Sequence, residues 1–343
     1  ANLVNELKKV DSNTFVRAWG GERLISEGVS LAKNIKQTAF MGLWSVLRNL
    51  RAIQSNLTFC KQDILAFKAD ALILVDYPAF NLKIAEFAKN NGIKVFYYIS
   101  PKVWAWNKNR VLKIKKFVDH LLVIFPFEVE FFKKYGVGVT YVGNPLLDEI
   151  EKTDHTLSFK SSNPIIALLP GSRKQEIEAI LPEMLTVVED YPDHQFVIAA
   201  TNIFGNEYYQ SFIKQKNVEF VFNETYALLA NAKAALVTSG TATLETALFK
   251  VPQVVCYKTN WFTYMIAKRV VKIEHLSLVN ILLNKTAVKE LIQAGLNKEN
   301  LKLELDILLN EREKILSDYN KLSDLLNKKG ASKNAAEFIL SSI

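Results

Sequence analysis

The stretch "PIIALLPGSRKQEIEAILPEML" (164–185) decides how the chain is to be read. "IIALL" is a short, unbroken apolar run, the pattern of a strand covered on both faces rather than one with a face in water. Pro170 and Gly171 then interrupt it, and an acidic run with apolar residues at helical spacing follows. A strand therefore stops at Pro170-Gly171-Ser172-Arg173 and a helix begins almost at once. Helix starts carry unpaired N–H groups and the positive end of the peptide dipoles, so an anion is favoured there. Arg173 adds a planar, forked donor suited to phosphate. A plainer reading fits the same residues: Ser172 caps the helix, and Arg173 pairs with Glu176 or Glu178 on the surface.

A second junction of the same kind shifts the balance. "LVTSGTATLETALFK" (236–250) again ends a strand in small residues, Thr238-Ser239-Gly240-Thr241, that open a helix. Glycine and hydroxyl residues let backbone N–H groups come close to a diphosphate. Glu245 lies one turn into that helix. It either complements the helix dipole, worth about 0.3–1 kcal/mol, or accepts hydrogen bonds from ribose hydroxyls if a phosphate occupies the helix start. Two such junctions in one α/β domain point to a nucleoside diphosphate. Neither is a GxxxxGK[ST] loop, which argues against hydrolysis of Mg-ATP.

Outward from these junctions, strand-like runs alternate with helical ones: 69–76, 92–100 and 119–125 in the first half, then 164–170, 194–200, 218–222, 233–240 and 252–258. This alternation predicts an α/β fold with parallel sheets in two such units. Apolar periodicity lapses over 141–164, so the domains are expected at 1–145 and 146–310, with helices over 311–343. The chain opens on a helical pattern, "ANLVNELKKV", ahead of its first strand candidate at 14–19. A doubly wound sheet normally opens on a strand, so an opening strand and its loop are expected to be missing from this chain.

Bulk properties bound the function loosely. The chain has 343 residues, 49% hydrophobic, with 43 basic against 35 acidic residues and a net charge of +8. That suffices for two cores and suits an anionic partner such as nucleotide phosphate, a phospholipid surface or nucleic acid. Interleaved aromatic and basic patches are absent, which counts against nucleic acid. Cys60 and Cys256 stand far apart, with no metal-like spacing. No apolar run reaches the ~18–20 residues that span a bilayer.

In the first half, "LILVDYPAFN" (72–81) places Asp76 at the carboxyl end of a buried strand, where α/β ligand sites lie, and Asn81 opens the next helix. Asp76 is either a turn-former ahead of Pro78 or a general base. Trp104 and Trp106 fall in a loop and are expected to pack a domain interface rather than stack on a ligand. His275 is given no role. On a helical wheel, "AFMGLWSVLRNLRAIQSNLTF" (39–59) gathers Leu43, Val46, Leu47, Leu50, Ile53 and Leu57 into a core stripe. Met41, Trp44, Arg48 and Arg51 fall on another face, the composition of a helix lying on an anionic membrane or of a partly buried helix with a basic edge.

Taken together, "YISPKVWAWNKNRVLKIKKFVDHLLVIFPFEVEFFKKYGV", "LLPGSRKQEI", "SGTATLETALFKVPQVVCYK" and "SLVNILLNKTAVKEL" resemble the lipid-A-disaccharide synthase family over essentially the whole chain. The resemblance implies a GT-B glycosyltransferase: two Rossmann-like domains facing across a cleft, with the last helices crossing back to the first. It implies inverting transfer of 2,3-diacylglucosamine from its UDP donor to 2,3-diacylglucosamine 1-phosphate, with no cofactor and no metal. Asp76 matches the family's candidate base. Gly171, Ser172, Arg173, Ser239, Gly240 and Thr241 match the diphosphate site, Glu245 the ribose and Asn280 the donor site. Because both substrates carry acyl chains, the resemblance turns Met41, Trp44, Arg48 and Arg51 into docking residues on the cytoplasmic face of the inner membrane, and a homodimer is compatible with it. Family members open with a "GExSGD"-like loop, which this chain begins beyond, so activity of this chain by itself is an open expectation. Asn144, in "VGNP" where relatives often carry histidine, is given no catalytic role. The competing readings are a UDP-sugar 2-epimerase of the same architecture and a non-catalytic anion- or membrane-binding protein.

Overall fold

The apolar runs become parallel strands, buried at every residue over Ile165–Leu169 but, over Ala71–Val75, where a buried strand is expected, buried only at Leu74. The computed structural model describes residues 1–34, 50–104, 109–261, 264–265, 269 and 274–343. Contacts divide the chain into two compact units, Ala1–Asp148 with Lys328–Ile343, and Glu149–Asn327.

In the first unit, β1 (Arg17–Gly20) and β2 (Ser30–Asn34) form a parallel pair. A second parallel sheet runs in chain order through β3 (Ala71–Val75), β4 (Lys94–Tyr98), β5 (His120–Val123) and β6 (Val139–Tyr141). One hydrophobic cluster joins this sheet to helices Leu50–Phe67, Pro78–Asn90 and Arg110–Phe117 through Leu57, Ile64, Ala85, Ala88 and Ile114. Another brings together Phe96, Tyr98 and Leu122 with Leu7 from the first helix and Ala335, Ala336 and Ile339 from the last. The last helix is thus part of this unit's core although it is most distant in sequence.

The second unit is a doubly wound sheet of β7 (Ile165–Leu169), β8 (Gln195–Ala200), β9 (Val218–Phe222), β10 (Ala232–Thr238), β11 (Gln253–Tyr257) and β12 (Lys289–Ile292), in the order β12-β11-β10-β7-β8-β9. The chain leaves β7 towards β9, then returns to the other side of β7 at β10. The strand order therefore reverses between β7 and β10, where open α/β sheets bind ligands beyond the strands' carboxyl ends.

The C-terminal helices divide differently from the sequence expectation. Helix Arg312–Leu325 belongs to the second unit, and only the chain from Lys328 joins the first. Local chemistry accounts for this. Tyr319 and Leu322 are fully buried, the Gln253 amide donates to the Tyr319 hydroxyl (3.4 Å), and Lys250 Nζ donates to the Tyr319 carbonyl (2.7 Å) and Ser323 Oγ (2.6 Å). Among the described residues, no helix is long and apolar enough to cross a membrane.

Candidate active site

Strand pairing brings the two sequence junctions side by side. β10 pairs with β7 in register from Ala234↔Ile166 to Val237↔Leu169, so the turns that follow lie at neighbouring strand ends. Gly171 adopts φ +110°, open to glycine but strained for other residues. A Cβ there would sit 2.7 Å from Glu176 Oε2 and 3.4 Å from Thr238 Cγ2, which is how closely the first turn lies against its own helix and the end of β10.

Helix Lys174–Leu185 follows. Its cap position is taken by Arg173 in extended backbone with no side-chain capping bond, so Ser172 is not the cap. The Arg173 side chain is 62% exposed and its Nη1 lies 2.6 Å from Glu176 Oε1, the surface pairing that the plainer reading names. Exposed pairs of this kind contribute about 0–1 kcal/mol. Exchanging Glu176 for a phosphate therefore costs little, and the pairing does not preclude a phosphate role.

At the second turn, Gly240 occupies the cap position of helix Thr241–Leu248 without a side-chain capping bond, and no atom lies within 4 Å of where its Cβ would stand. Thr241 is exposed, while the fully buried Thr243 donates its hydroxyl to the Gly240 carbonyl (2.9 Å). Ser239 Oγ donates to the Leu276 carbonyl (3.3 Å). The Gln253 amide donates to the Thr243 carbonyl (2.9 Å), tying this helix through Tyr319 to Arg312–Leu325. Glu245 is half-buried and accepts from the Tyr226 hydroxyl (3.3 Å). Burial pushes its carboxyl above the ordinary range, and the Tyr226 hydrogen bond opposes the shift. A carboxyl in such surroundings gains from further donors such as ribose hydroxyls.

Asn280 does not fit the donor-contact role. It is fully buried, and its amide donates to the Val288 carbonyl (2.8 Å) and Glu290 Oε1 (2.9 Å) while its oxygen accepts from the N–H groups of Ala287 (2.8 Å) and Val288 (2.9 Å). Those four bonds fill both donors and both acceptor positions of a primary amide. Glu290, which the sequence reading missed, also accepts from the N–H groups of Leu276 and Ser277. Asn280 and Glu290 thus fix the segment whose Leu276 carbonyl receives Ser239. The signal was hidden because β12, "KELI", is too short and polar to read as a strand.

In the first unit, Asp76 follows β3 and is exposed at its carboxyl end, with φ +45°. Trp104 packs edge-on against Phe127 (centroids 5.2 Å apart), a packing role within its own unit. Asn144 is buried and accepts from the Leu146 N–H (3.0 Å), an ordinary turn contact. Met41, Trp44, Arg48 and Trp106 lie outside the described residues. Arg51 is exposed on helix Leu50–Phe67, from which Leu57 enters the core.

Glu128 escaped the sequence reading. It is buried at the turn after β5, where its Oε2 accepts from the N–H groups of Phe125 (3.1 Å) and Ile124 (3.3 Å). The signal was partial: a glutamate three residues after the cap position reaches back to the cap N–H, as in one half of a capping box, while Phe125 has no side-chain acceptor for the other half and its carbonyl receives the Glu128 N–H (3.1 Å) instead. Burial pushes the carboxyl up to about 7 from an ordinary 4.5, against the pull of those N–H groups. A group with a raised folded pKa contributes its stability below its unfolded pKa and loses it as pH rises through the folded one. Between pH 4.5 and about 7 the wild type accordingly loses about 3 kcal/mol that Glu128→Gln keeps. Denaturant titrations of both proteins across that window measure the difference, and parallel stability curves would remove the assignment.

Comparison with known proteins agrees with this architecture. A family model described as lipid-A-disaccharide synthetase matches residues 1–342. A lipid-A-disaccharide synthase of Syntrophus aciditrophicus is 38% identical, with all of this chain and 94% of the relative aligned. One from Coxiella burnetii is 33% identical over 99% of this chain and 93% of the relative. Among solved structures, a UDP-GlcNAc 2-epimerase from Neisseria meningitidis bound to UDP-GlcNAc superposes with a TM-score of 0.68 at 15% identity, covering 99% of this chain and 95% of its own. The kitacinnamycin glycosyltransferase gives 0.64 at 13% identity over 100% and 94%. At these identities the structural likeness establishes the fold alone.

Proposed function

The chain belongs to the lipid-A-disaccharide synthase family, and from that premise we propose that it transfers 2,3-diacylglucosamine from UDP-2,3-diacylglucosamine to the 6-hydroxyl of 2,3-diacylglucosamine 1-phosphate. The product is a β(1→6)-linked disaccharide 1-phosphate, and UDP leaves. The acceptor oxygen bonds to the anomeric carbon as the bond from that carbon to the UDP oxygen breaks, and the electron pair departs on the diphosphate. The donor is an α-glycoside and the product a β-glycoside, so one in-line displacement suffices, without a covalent sugar–enzyme intermediate. It needs one base and a stabilised leaving group.

Asp76 is the base that receives the hydroxyl proton. Gly171, Ser172 and Arg173, with the Ser239-Gly240-Thr241 turn, hold the diphosphate, and Arg173 offsets the charge that grows on it. Glu245 binds the ribose. Asn280 is left out of substrate contact, since its amide is fully engaged. The observation that carries the donor site is the adjacency of the Gly171 and Gly240 turns where the strand order reverses.

The epimerase alternative rests on fold likeness at 15% identity, whereas the sequence relatives at 33–38% are named as synthases. A radiolabel assay separates the two: the protein forms disaccharide from the acylated pair and leaves UDP-N-acetylglucosamine unchanged. Epimerisation of the unacylated sugar, with no disaccharide, would overturn the reading.

The acyl chains of both substrates place the enzyme, on this reading, at the cytoplasmic surface of the inner membrane, docked through Met41, Trp44, Arg48 and Arg51. Replacing Met41 and Trp44 by Ser lowers co-sedimentation with anionic vesicles several-fold while the melting temperature stays within a few degrees. Unchanged sedimentation rejects the docking face.

A further inference from the structure

The backbone after β3 is held where its side chains resist it. Asp76 (φ +45°) and Tyr77 (φ +44°) are consecutive left-handed residues, and neither is glycine. Non-glycine residues seldom adopt this region, bulky ones least of all, and they stay there only when surrounding contacts over-determine the conformation. In this case the contacts converge on one atom. The Asp76 carbonyl oxygen accepts from the Tyr97 hydroxyl of β4 and from the Asn81 amide (2.7 Å) of the next helix. The same amide donates to the Val75 carbonyl (3.1 Å), so Asn81 grips the last residue of β3 and the residue beyond it.

Both donors are themselves fixed. Tyr97 is fully buried, and β4 pairs with β3 in register through Leu74↔Tyr97 and Val75↔Tyr98. Burial, reinforced by the charge of Asp76, holds its hydroxyl well above the ordinary tyrosine range, with hydrogen bonding from Asn81 and the charge of Arg110 opposing. Asn81 stands in the first turn of helix Pro78–Asn90, where its own N–H donates to the Tyr77 carbonyl (3.0 Å). Tyr77 caps that helix without a side-chain capping bond, so the turn depends on contacts made elsewhere.

We propose that Tyr97 and Asn81 are positioning residues for Asp76: together they clamp its carbonyl, enforce two left-handed residues in succession, and thereby aim the carboxylate beyond the end of the strand. Their catalytic effect rests on the reading of Asp76 as the base, whereas the clamp itself is a statement about the backbone. A side chain that merely filled the core would tolerate Tyr97→Phe, which keeps the ring and removes only the donor. A positioning residue would not.

The test uses disaccharide formation and a crystal structure of the variant together. Tyr97→Phe and Asn81→Ala are each expected to lower kcat by about 10–100-fold, with KM for both substrates and the affinity for UDP within twofold of wild type. In an Asp76→Asn background, Tyr97→Phe changes the remaining rate by less than twofold, because residues acting through one another do not add. In the Tyr97→Phe/Asn81→Ala protein, Asp76 and Tyr77 leave the left-handed region. A wild-type kcat in both single variants, or a full additional loss on top of Asp76→Asn, overturns the proposal. So does an unchanged pair of positive φ angles in the double variant, whatever the rates. A near-normal rate for Asp76→Asn alone removes the base, and with it the catalytic role of the clamp, while the crystal structure still reads the clamp independently.

Discussion

Asp76→Ala is expected to bind UDP as the wild type does and to turn over about 10³-fold more slowly, within the 10²–10⁴ that a positioned general base typically supplies. The separation of the two effects follows from where the residues lie. Asp76 stands at the end of β3 in the first unit, and the diphosphate turns belong to the second. Removing the carboxylate leaves every proposed phosphate contact in place. It also leaves the fold intact, because the side chain is exposed and the clamp grips the main-chain oxygen, which alanine retains. Alanine tolerates the left-handed region less well than aspartate, so a modest fall in melting temperature accompanies the substitution without unfolding the protein. The decisive pairing is isothermal titration with UDP beside steady-state rates on the acylated substrates. A variant with near-normal turnover would end the base assignment. Lost UDP affinity would instead mean that the carboxylate shapes the donor site.

How much of this was legible in advance depends on the kind of interaction. β7 and β10 could be read from the sequence because strands buried on both faces must be apolar at every position, and "IIALL" and "AALVT" allow little else. The turns after them were legible because each strand ends at a glycine: Gly171 takes φ +110°, a region that glycine adopts without strain, whereas the space around Gly240 is open. Their adjacency was not legible, since it depends on the return of the chain to the far side of β7, which local pattern does not encode. Asn280 shows the opposite failure. Its motif resembles a binding residue, yet a buried amide that satisfies four internal hydrogen bonds looks the same in sequence as one that faces a ligand. The Tyr97 clamp was hidden too, because a tyrosine in an apolar strand reads as core and its hydroxyl finds its partner only through the β3–β4 register. The resemblance sends the helices of 311–343 back to the first domain as one group, whereas Tyr319, Gln253 and Lys250 bind Arg312–Leu325 to the second unit.

Arg173→Ala is expected to weaken UDP binding by about 10–100-fold, the loss of a charge-assisted contact worth about 1.5–3 kcal/mol. Its effect on kcat/KM is expected to be larger, about 10³-fold, because the same guanidinium meets more negative charge as the leaving oxygen separates from the sugar. The contact between Arg173 and Glu176 supplies an internal control of sign. If Arg173 must leave Glu176 to reach phosphate, Glu176→Ala removes the competitor as well as a like charge, and UDP affinity rises by a few-fold at most, since an exposed pair contributes about 0–1 kcal/mol. The two substitutions at either end of one 2.6 Å contact thus act in opposite directions on the ligand. A purely structural ion pair would behave otherwise: both substitutions would cost a little stability and neither would touch UDP. Calorimetry on the two variants distinguishes these cases, and equal UDP affinities for Arg173→Ala and wild type would take the arginine out of the diphosphate site.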